Sequence, residues 1–228
     1  MTLSELVAPL AGTLIGADRE FTGVSTDSRK IVPGDLFVAL RGENFDGHDY
    51  LAQVADAGAV ALLISRQTDI KLPALLVADT QRALGRLGSH NRKLFTGPVV
   101  AITGSSGKTS VKNMTRAVLA QRGRTLATEG NLNNEIGVPL TLLALAPDAD
   151  FAVVEMGAGK VGDIAWLCEL GRPSIAVLLT VLPAHLQGFG NVEAIAEGKG
   201  EIFDGLKQGD FAVINADLPW AARWRERA

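Results

Sequence analysis

One segment near the middle of the chain constrains the fold more than any other. An apolar run, Val99–Thr103, passes directly into residues 104–110, a loop with the sequence GSSGKTS, and a helix-forming stretch follows from about 111 to 121. Glycines let backbone N–H groups turn toward phosphate oxygens, and the N-terminus of a helix favours negative charge. This order of strand, loop and helix predicts a phosphate-binding loop on an α/β fold.

The polar residues of this loop have predicted tasks. Lys108 can bridge the terminal phosphates of ATP, and the Thr109 hydroxyl can ligate magnesium. The spacing departs from the general pattern, because Ile102 stands where that pattern has its first glycine, and the glycine is at 104 instead. A glycine-rich turn without a ligand is the alternative. The predicted ATP-binding residues of the loop are Gly104, Ser105, Ser106, Gly107, Lys108, Thr109 and Ser110.

Strand and helix signals alternate strictly after residue 97. Continuous apolar runs separated by helical segments indicate a parallel sheet covered on both faces, with ligands at the carboxyl ends of its strands. The predicted strands of this unit are 99–103, 124–128, 151–155, 175–180 and 211–215. The charged tail, 220–228, follows the last strand closely, so this domain is expected to be incomplete at its carboxyl end.

The segment before residue 97 predicts a smaller unit of mixed α/β type. Thr2 and Glu5 have the spacing of a capping box, which predicts a short first helix. The remaining predicted elements are strands at 36–40, 59–64 and 75–78 and helices at 49–56 and 80–94. We therefore predict two domains, 1–96 and 97–228, the second a P-loop ATPase domain with a parallel sheet.

Composition narrows the classes of partner. The 228 residues carry a formal charge of −3, so no global cationic field would attract nucleic acid or an anionic membrane. The single cysteine, Cys168, excludes an internal disulfide framework and fits a reducing compartment. The chain lacks a signal-peptide pattern and any apolar stretch near the roughly 20 residues of a membrane span. A cytoplasmic monomer that does not insert into membranes is the expectation.

Several segments resemble the Mur ligase family of ATP-dependent amide ligases. The shifted loop Gly-x-x-Gly-Lys-Thr is similar to theirs and to that of folylpolyglutamate synthetases. In the second unit the similar segments are 130–139 (GNLNNEIGVP), 155–158 (EMGA), 183–190 (PAHLQGFG) and 197–203 (EGKGEIF). In the first unit, 25–29 (STDSR), 33–40 (PGDLFVAL) and 42–49 (GENFDGHD) resemble the family's substrate-binding domain. The family often has Asn at position 180 and Glu at position 187, where this chain has Thr180 and Gln187.

The resemblance implies the remaining site residues of the second unit. Asn133 and Asn134 would contribute to ATP binding. Two magnesium ions would be ligated by Thr109, Glu155, His185 and Lys199, the last as a carbamate formed with carbon dioxide. Lys108, Lys199 and His185 would be the catalytic residues. Without the resemblance, Glu155 could be an ordinary strand-end acid, His185 a structural histidine and Lys199 a solvated surface lysine.

The resemblance also assigns a task to the first unit, which would bind the UDP end of a sugar-peptide substrate. The implied contact residues are Thr26, Ser28, Glu43, Asn44 and Phe45. A hydrogen-bonded turn is the alternative for the Thr-Asp-Ser-Arg segment, because short polar residues favour turns.

The reaction that the resemblance implies is the ligation of D-alanyl-D-alanine to UDP-N-acetylmuramoyl-tripeptide through an acyl phosphate. The family member that adds the third residue of the peptide is the nearest alternative, and the Asn133-Asn134 pair argues against it. Cyanophycin- and folate-type ligases share the loop without explaining the first unit. A nucleotide- or UDP-sugar-binding module without catalysis is the alternative of another class. Family members continue for about as many residues again, so this chain alone is expected to be inactive.

Overall fold

The structure is a computed structural model that describes residues 1–183 and 186–228, except for the side chain of Leu186. Two compact units, Met1–His90 and Asn91–Ala228, make up the chain. The division lies a few residues before the predicted boundary at 96/97, because Asn91 donates to the carbonyls of Leu142 and Leu145 at 2.9 and 3.0 Å. No helix in the described part of the chain has the length and hydrophobicity that crossing a bilayer requires.

The first unit is built on a five-stranded sheet in the order β1-β5-β4-β3-β2, counted over the described residues. Its strands are β1 (Thr13–Ile15), β2 (Gly23–Ser25), β3 (Asp35–Val38), β4 (Ala61–Ile64) and β5 (Ala74–Leu76). Strands β2 to β5 pair in parallel, and β1 pairs with β5 in the antiparallel sense. The sheet is therefore mixed in strand direction, and together with its helices it gives the α/β unit that the sequence predicted.

Helices in the first unit bury one apolar side each. They are α1 (Leu3–Leu10), α2 (Leu51–Asp56) and α3 (Thr80–Arg92), and a 3-10 turn, Gly47–Tyr50, precedes α2. The capping box that Thr2 and Glu5 predict is present at the start of α1. Leu51 and Val54 of α2 pack with Phe37 and Leu62 in one buried cluster. Burial of these side chains stabilises the unit through the hydrophobic effect.

The second unit has a five-stranded parallel sheet in the order β10-β9-β6-β8-β7 among the described residues. The strands are β6 (Val99–Thr103), β7 (Thr125–Ala127), β8 (Phe151–Glu155), β9 (Ile175–Leu178) and β10 (Phe211–Ile214). The predicted parallel sheet is confirmed. Because β6 is central and all strands run the same way, the segments that follow β6, β8 and β9 meet at one edge of the sheet.

Helical segments connect these strands. They are α4 (Lys108–Leu119), α5 (Gly137–Leu143), α6 (Asp163–Gly171), α7 (Leu186–Phe189), α8 (Val192–Gly200) and α9 (Ala221–Arg227), with a 3-10 turn at Glu201–Phe203. Val99, Val154 and Leu178 of the sheet share a buried cluster with side chains of these helices. Trp224 of α9 is 0% exposed and belongs to that cluster.

Predicted and observed bounds agree best where a strand is central. The predicted strands 99–103 and 151–155 match β6 and β8 residue for residue. Elsewhere the predicted strands and helices differ by a few residues from the observed ones, and β1 and β2 were not predicted. For example, α4 begins at Lys108 rather than near 111, because Gly107 adopts a positive φ of 81° and serves as its N-cap. The helix predicted over 49–56 is split, since the chain first forms a 3-10 turn.

Candidate active site

The loop between β6 and α4 has the conformation that a phosphate-binding loop needs. Gly104 has a φ of 155°, and a Cβ there would lie 3.1 Å from Leu179 Cβ and 3.2 Å from Thr180 N. A side chain at this position would therefore be strained and crowded. Lys108 Nζ donates to Gly104 O at 3.0 Å, so the ammonium folds back over the loop. The loop presents the lysine and the N-terminus of α4 to the same space.

The end of β9 supports this loop. The Ser105 N–H donates to Thr180 O at 2.8 Å, and the Ser106 N–H donates to Thr180 Oγ1 at 3.2 Å. Thr180 therefore fixes two backbone groups of the loop, a role that the sequence did not reveal. The available signal was a polar residue at the end of the predicted strand 175–180.

Glu155 forms the polar centre of the site. It ends β8, is 2% exposed, and accepts from Thr109 Oγ1 at 2.9 Å on one oxygen and from Asn133 Nδ2 at 2.8 Å on the other. Its own N–H donates to Thr128 Oγ1 at 3.0 Å. Hydrogen bonds to both oxygens fix the orientation of the carboxylate. The structure thus brings together three predicted residues, Thr109, Asn133 and Glu155, and adds Thr128.

Lys199 lies in the last turn of α8 and is 2% exposed. Burial, and secondarily the charge of Lys108, lowers the pKa of Lys199 from 10.5 to about 8. Its ammonium lies 6.0 Å from the centre of the Phe189 ring. A desolvated amine with a lowered pKa is neutral, and hence nucleophilic, more often than an exposed lysine. The reading of Lys199 as a solvated surface lysine is therefore wrong.

A cavity of about 270 Å³ at the carboxyl edge of the sheet brings two of the predicted catalytic residues together. Lys108 and Lys199 both line it, together with the segment 131–135 and with Gly157, Ala158 and Gly159. Asn134 lies at its wall, where its side-chain oxygen accepts from the Gly137 N–H at 2.9 Å. The amide of Asn134 therefore shapes the start of α5.

Four residues were predicted to ligate metal. Three of them, Thr109, Glu155 and Lys199, lie in the part of the chain that the structure describes. Within residues 1–183 and 186–228, no three His, Cys, Asp or Glu side chains cluster as metal ligands. Thr109 and Glu155 are hydrogen-bonded neighbours, and Lys199 lines the same cavity as Lys108. His185 lies outside the described residues.

The predicted substrate residues of the first unit fall on two turns. Thr26 and Ser28 are half-buried in the turn after β2, where Asp27 accepts from the Arg29 side chain at 2.9 Å. This hydrogen bond with Arg29 lowers the pKa of Asp27 to about 2. The segment forms a hydrogen-bonded turn, in which Thr26 and Ser28 remain partly exposed.

The second turn, residues 42–46, presents Glu43, Asn44 and Phe45 to solvent, and Phe45 is 53% exposed. The Gly42 N–H donates to Phe45 O at 2.9 Å and closes the turn. Next to it, buried His48 contacts Asp46 through Nδ1 at 2.6 Å and accepts from the Ser65 N–H through Nε2. In the described residues no hydrogen bond joins this turn to Thr26 or Ser28.

Sequence comparisons identify relatives along the whole chain. The Mur ligase middle domain matches residues 102–228, and the Mur ligase family, catalytic domain, matches residues 20–92. The UDP-N-acetylmuramoyl-tripeptide--D-alanyl-D-alanine ligase of Escherichia coli K12 is 54% identical over 217 residues, which are 95% of this chain and 48% of that protein. The chain therefore spans about half the length of the curated relatives it matches.

Solved structures give the same result. MurF from Acinetobacter baumannii superposes with a TM-score of 0.93 at 36% identity, covering 99% of this chain and 51% of that one. MurF from Thermotoga maritima, determined in complex with ADP, gives a TM-score of 0.83 at 36% identity and covers 90% of this chain and 48% of its own. Fold and sequence thus point to the same relatives.

Proposed function

This chain belongs to the Mur ligase family, and we propose that it is part of a ligase that uses ATP to join D-alanyl-D-alanine to UDP-N-acetylmuramoyl-tripeptide. One observation carries the proposal: Lys108 of the phosphate loop and the buried Lys199 line a single cavity beside the Asn133–Glu155 pair. The named relatives support the dipeptide-adding reaction rather than addition of the third residue.

The proposed chemistry is phosphoryl transfer followed by amide formation. The free carboxylate of the tripeptide attacks the γ-phosphorus of ATP, which forms an acyl phosphate and releases ADP. The amine of the dipeptide then attacks the acyl carbon, loses a proton and displaces phosphate. Lys108 and the loop N–H groups would offset charge on the transferred group, and positioning of the reactants supplies much of the remaining acceleration.

The residues present suit magnesium. The Thr109 hydroxyl and the Glu155 carboxylate lie 2.9 Å apart, and hard oxygen donors of this kind are the ligands that Mg²⁺ prefers. When bound, the ion would supply positive charge beside the nucleotide phosphates. Asn133 would hold the second oxygen of Glu155 and so keep the carboxylate aimed at the loop.

We also propose that Lys199 carries a carbamate. The neutral amine would attack the carbon of carbon dioxide, forming an N–C bond and releasing one proton. Its buried amine and lowered pKa support this reaction, because only the neutral form is nucleophilic. The product is an anionic oxygen ligand, which, with His185, would hold a second magnesium ion.

The first unit would bind the UDP end of the substrate through Phe45 and its neighbours. We expect Phe45→Ala to weaken binding of UDP-N-acetylmuramoyl-tripeptide about tenfold, because an exposed aromatic ring can stack on the uracil base. Isothermal titration calorimetry would measure it. Unfolding temperature should hardly change, since the ring is 53% exposed. Tyr50→Ala, which removes another exposed ring of this unit, is the matched control, and an equal loss there would contradict the assignment.

The 228 residues alone offer a test of the whole proposal. The Escherichia coli ligase is about twice as long, so we propose that this chain binds the UDP-linked substrate without forming the amide bond. Calorimetry with the substrate should show binding, and a product assay with ATP, magnesium and D-alanyl-D-alanine should show none. The longer ligase containing the chain should form product in the same assay. Failure of that ligase to do so would refute the proposed reaction.

The proposed ligase reaction also implies a cellular location. We place this reaction in the cytoplasm, which agrees with a single free cysteine, Cys168, that is buried in the second unit.

A further inference from the structure

A second cavity, of about 390 Å³, lies between α4 and the edge strand β7. It is separate from the cavity that contains Lys108 and Lys199, and the two have no lining residue in common. Lys112 and Arg116 of α4 line one wall, and Thr125 and Thr128 line the other. None of these four residues has a task in the proposed reaction, apart from the contact of Thr128 with Glu155.

Lys112 is the unusual residue of this cavity. Its side chain is buried at 3% exposure, and its ammonium donates to Thr128 O at 2.7 Å. An ammonium has three donors, and among the described residues this is its one hydrogen bond, with no carboxylate in ion-pair contact. A buried cation is costly unless an anion neutralises it. The cavity beside it is where such an anion would fit.

Arg116 supplies a second positive charge on the same wall. It lies four residues after Lys112, which places both side chains on one face of α4. Arg116 is exposed and forms no ion pair within the described part of the chain. Glu129 is the single acidic residue of the lining, so the charge of the wall is positive overall. A planar guanidinium beside an ammonium suits an oxyanion such as carboxylate or phosphate.

The floor of this cavity is hydrogen-bonded to the active site. The Thr128 carbonyl accepts from Lys112, and the Thr128 hydroxyl accepts from the Glu155 N–H at 3.0 Å. Thr109, which lines the cavity, donates to Glu155 Oε2. Two successive hydrogen bonds through Thr128 therefore link the Lys112 ammonium to the backbone N–H of Glu155, whose carboxylate is proposed to bind magnesium.

We propose that this cavity, which Thr109 lines but Lys108 does not, is a second anion site that takes a carboxylate or phosphate oxyanion between Lys112 and Arg116. The site goes beyond the proposed ligase reaction and does not depend on it. The oxyanion can come from a carboxylate of a bound peptide or from a phosphate group, and the two sources are distinguished by titrating each kind of anion separately.

The test uses the 228-residue chain with Lys108→Ala, which weakens anion binding at the phosphate loop. Inorganic phosphate and, separately, acetate are titrated while backbone amide signals are followed by ¹⁵N NMR. We expect saturable shifts of the Asn113, Thr125 and Gly130 amides, which surround the cavity. Shifts with phosphate alone assign a phosphate ligand, and shifts with both anions assign a carboxylate-compatible site.

Substitutions then identify the residues that bind. Adding Arg116→Gln should weaken the anion affinity about tenfold, because a charge-assisted hydrogen bond is lost. Arg122→Gln, which changes another exposed arginine that does not line the cavity, is the matched control and should leave the affinity unchanged. Arg116 is exposed, so its replacement leaves the buried core unchanged, and the NMR spectrum itself verifies the fold. The proposal is overturned by a lack of saturable shifts at concentrations that saturate the unaltered phosphate loop, or by equal effects of the two substitutions.

Discussion

Replacing Lys108 with alanine in the ligase that contains this chain is expected to lower ATP-dependent amide formation about a thousandfold or more. The ammonium is held over the loop by Gly104 O, where the terminal phosphates of ATP would lie. The ammonium faces a pocket in which, among the described residues, Lys199 is the one other lysine of the lining. Alanine removes the charge and leaves the backbone N–H groups of the loop in place, so catalysis falls while the fold persists.

The measurement is a steady-state assay of amide formation with the thermal unfolding of each variant recorded beside it. Lys93→Ala is the control, because Lys93 is exposed, belongs to the same unit and lies outside the cavity. We expect Lys93→Ala to retain full activity. A folded Lys108→Ala variant with undiminished turnover would show that the loop does not act on the nucleotide.

The central strands were the most predictable part of the fold. β6 and β8 each have four consecutive apolar residues before a polar last residue and lie inside the sheet, so an apolar run marks each of them. β1 and β2 were missed because each has three residues and none of them is fully buried. Such strands are defined by pairing with a neighbour, for example Gly23 with Asp35, rather than by their own pattern.

The C-terminal helix shows why local patterns mislead. The segment 220–228 was interpreted as a charged tail, yet α9 buries Trp224 and pairs Arg227 with Asp204 and Glu197. Burial of Trp224 is the main tertiary stabilisation of this helix, because partly exposed ion pairs contribute little. A tryptophan between arginines was the one signal of burial.

The environment of Lys199 could not be derived from its own neighbours in sequence. Two glycines flank it, and each allows an aromatic side chain to approach: a Cβ on Gly198 would lie 2.7 Å from Phe189 Cε1, and one on Gly200 would lie 2.5 Å from Trp224 Nε1. Both rings come from other helices, α7 and α9. Burial of the lysine is therefore a product of long-range packing, while the residue itself was found through resemblance.

This packing leads to the second large effect, that of Lys199→Ala. We expect it to lower ligase activity about a hundredfold or more, because the proposed carbamate would be lost from the cavity that holds the phosphates. Lys199→Arg should be equally inactive, since a guanidinium fills the site with charge and does not form a carbamate. If both variants lose the same amount of ligase activity, the reaction does not depend on a positive charge at position 199.

Small carboxylates distinguish a missing carbamate from a damaged fold. Acetate or formate can enter the space that alanine leaves and supply the oxygen ligands of the carbamate, so they should partly restore the activity of Lys199→Ala. They should not restore Lys199→Arg, whose side chain occupies that space. In the unaltered ligase, carbamate formation should rise with pH through the lowered pKa of about 8, because the fraction of neutral amine rises there. A ¹³C NMR signal from labelled carbon dioxide bound to the protein would report it directly. If carboxylates rescue neither variant and no such signal forms at any pH, Lys199 acts as a buried ammonium and the carbamate is ruled out.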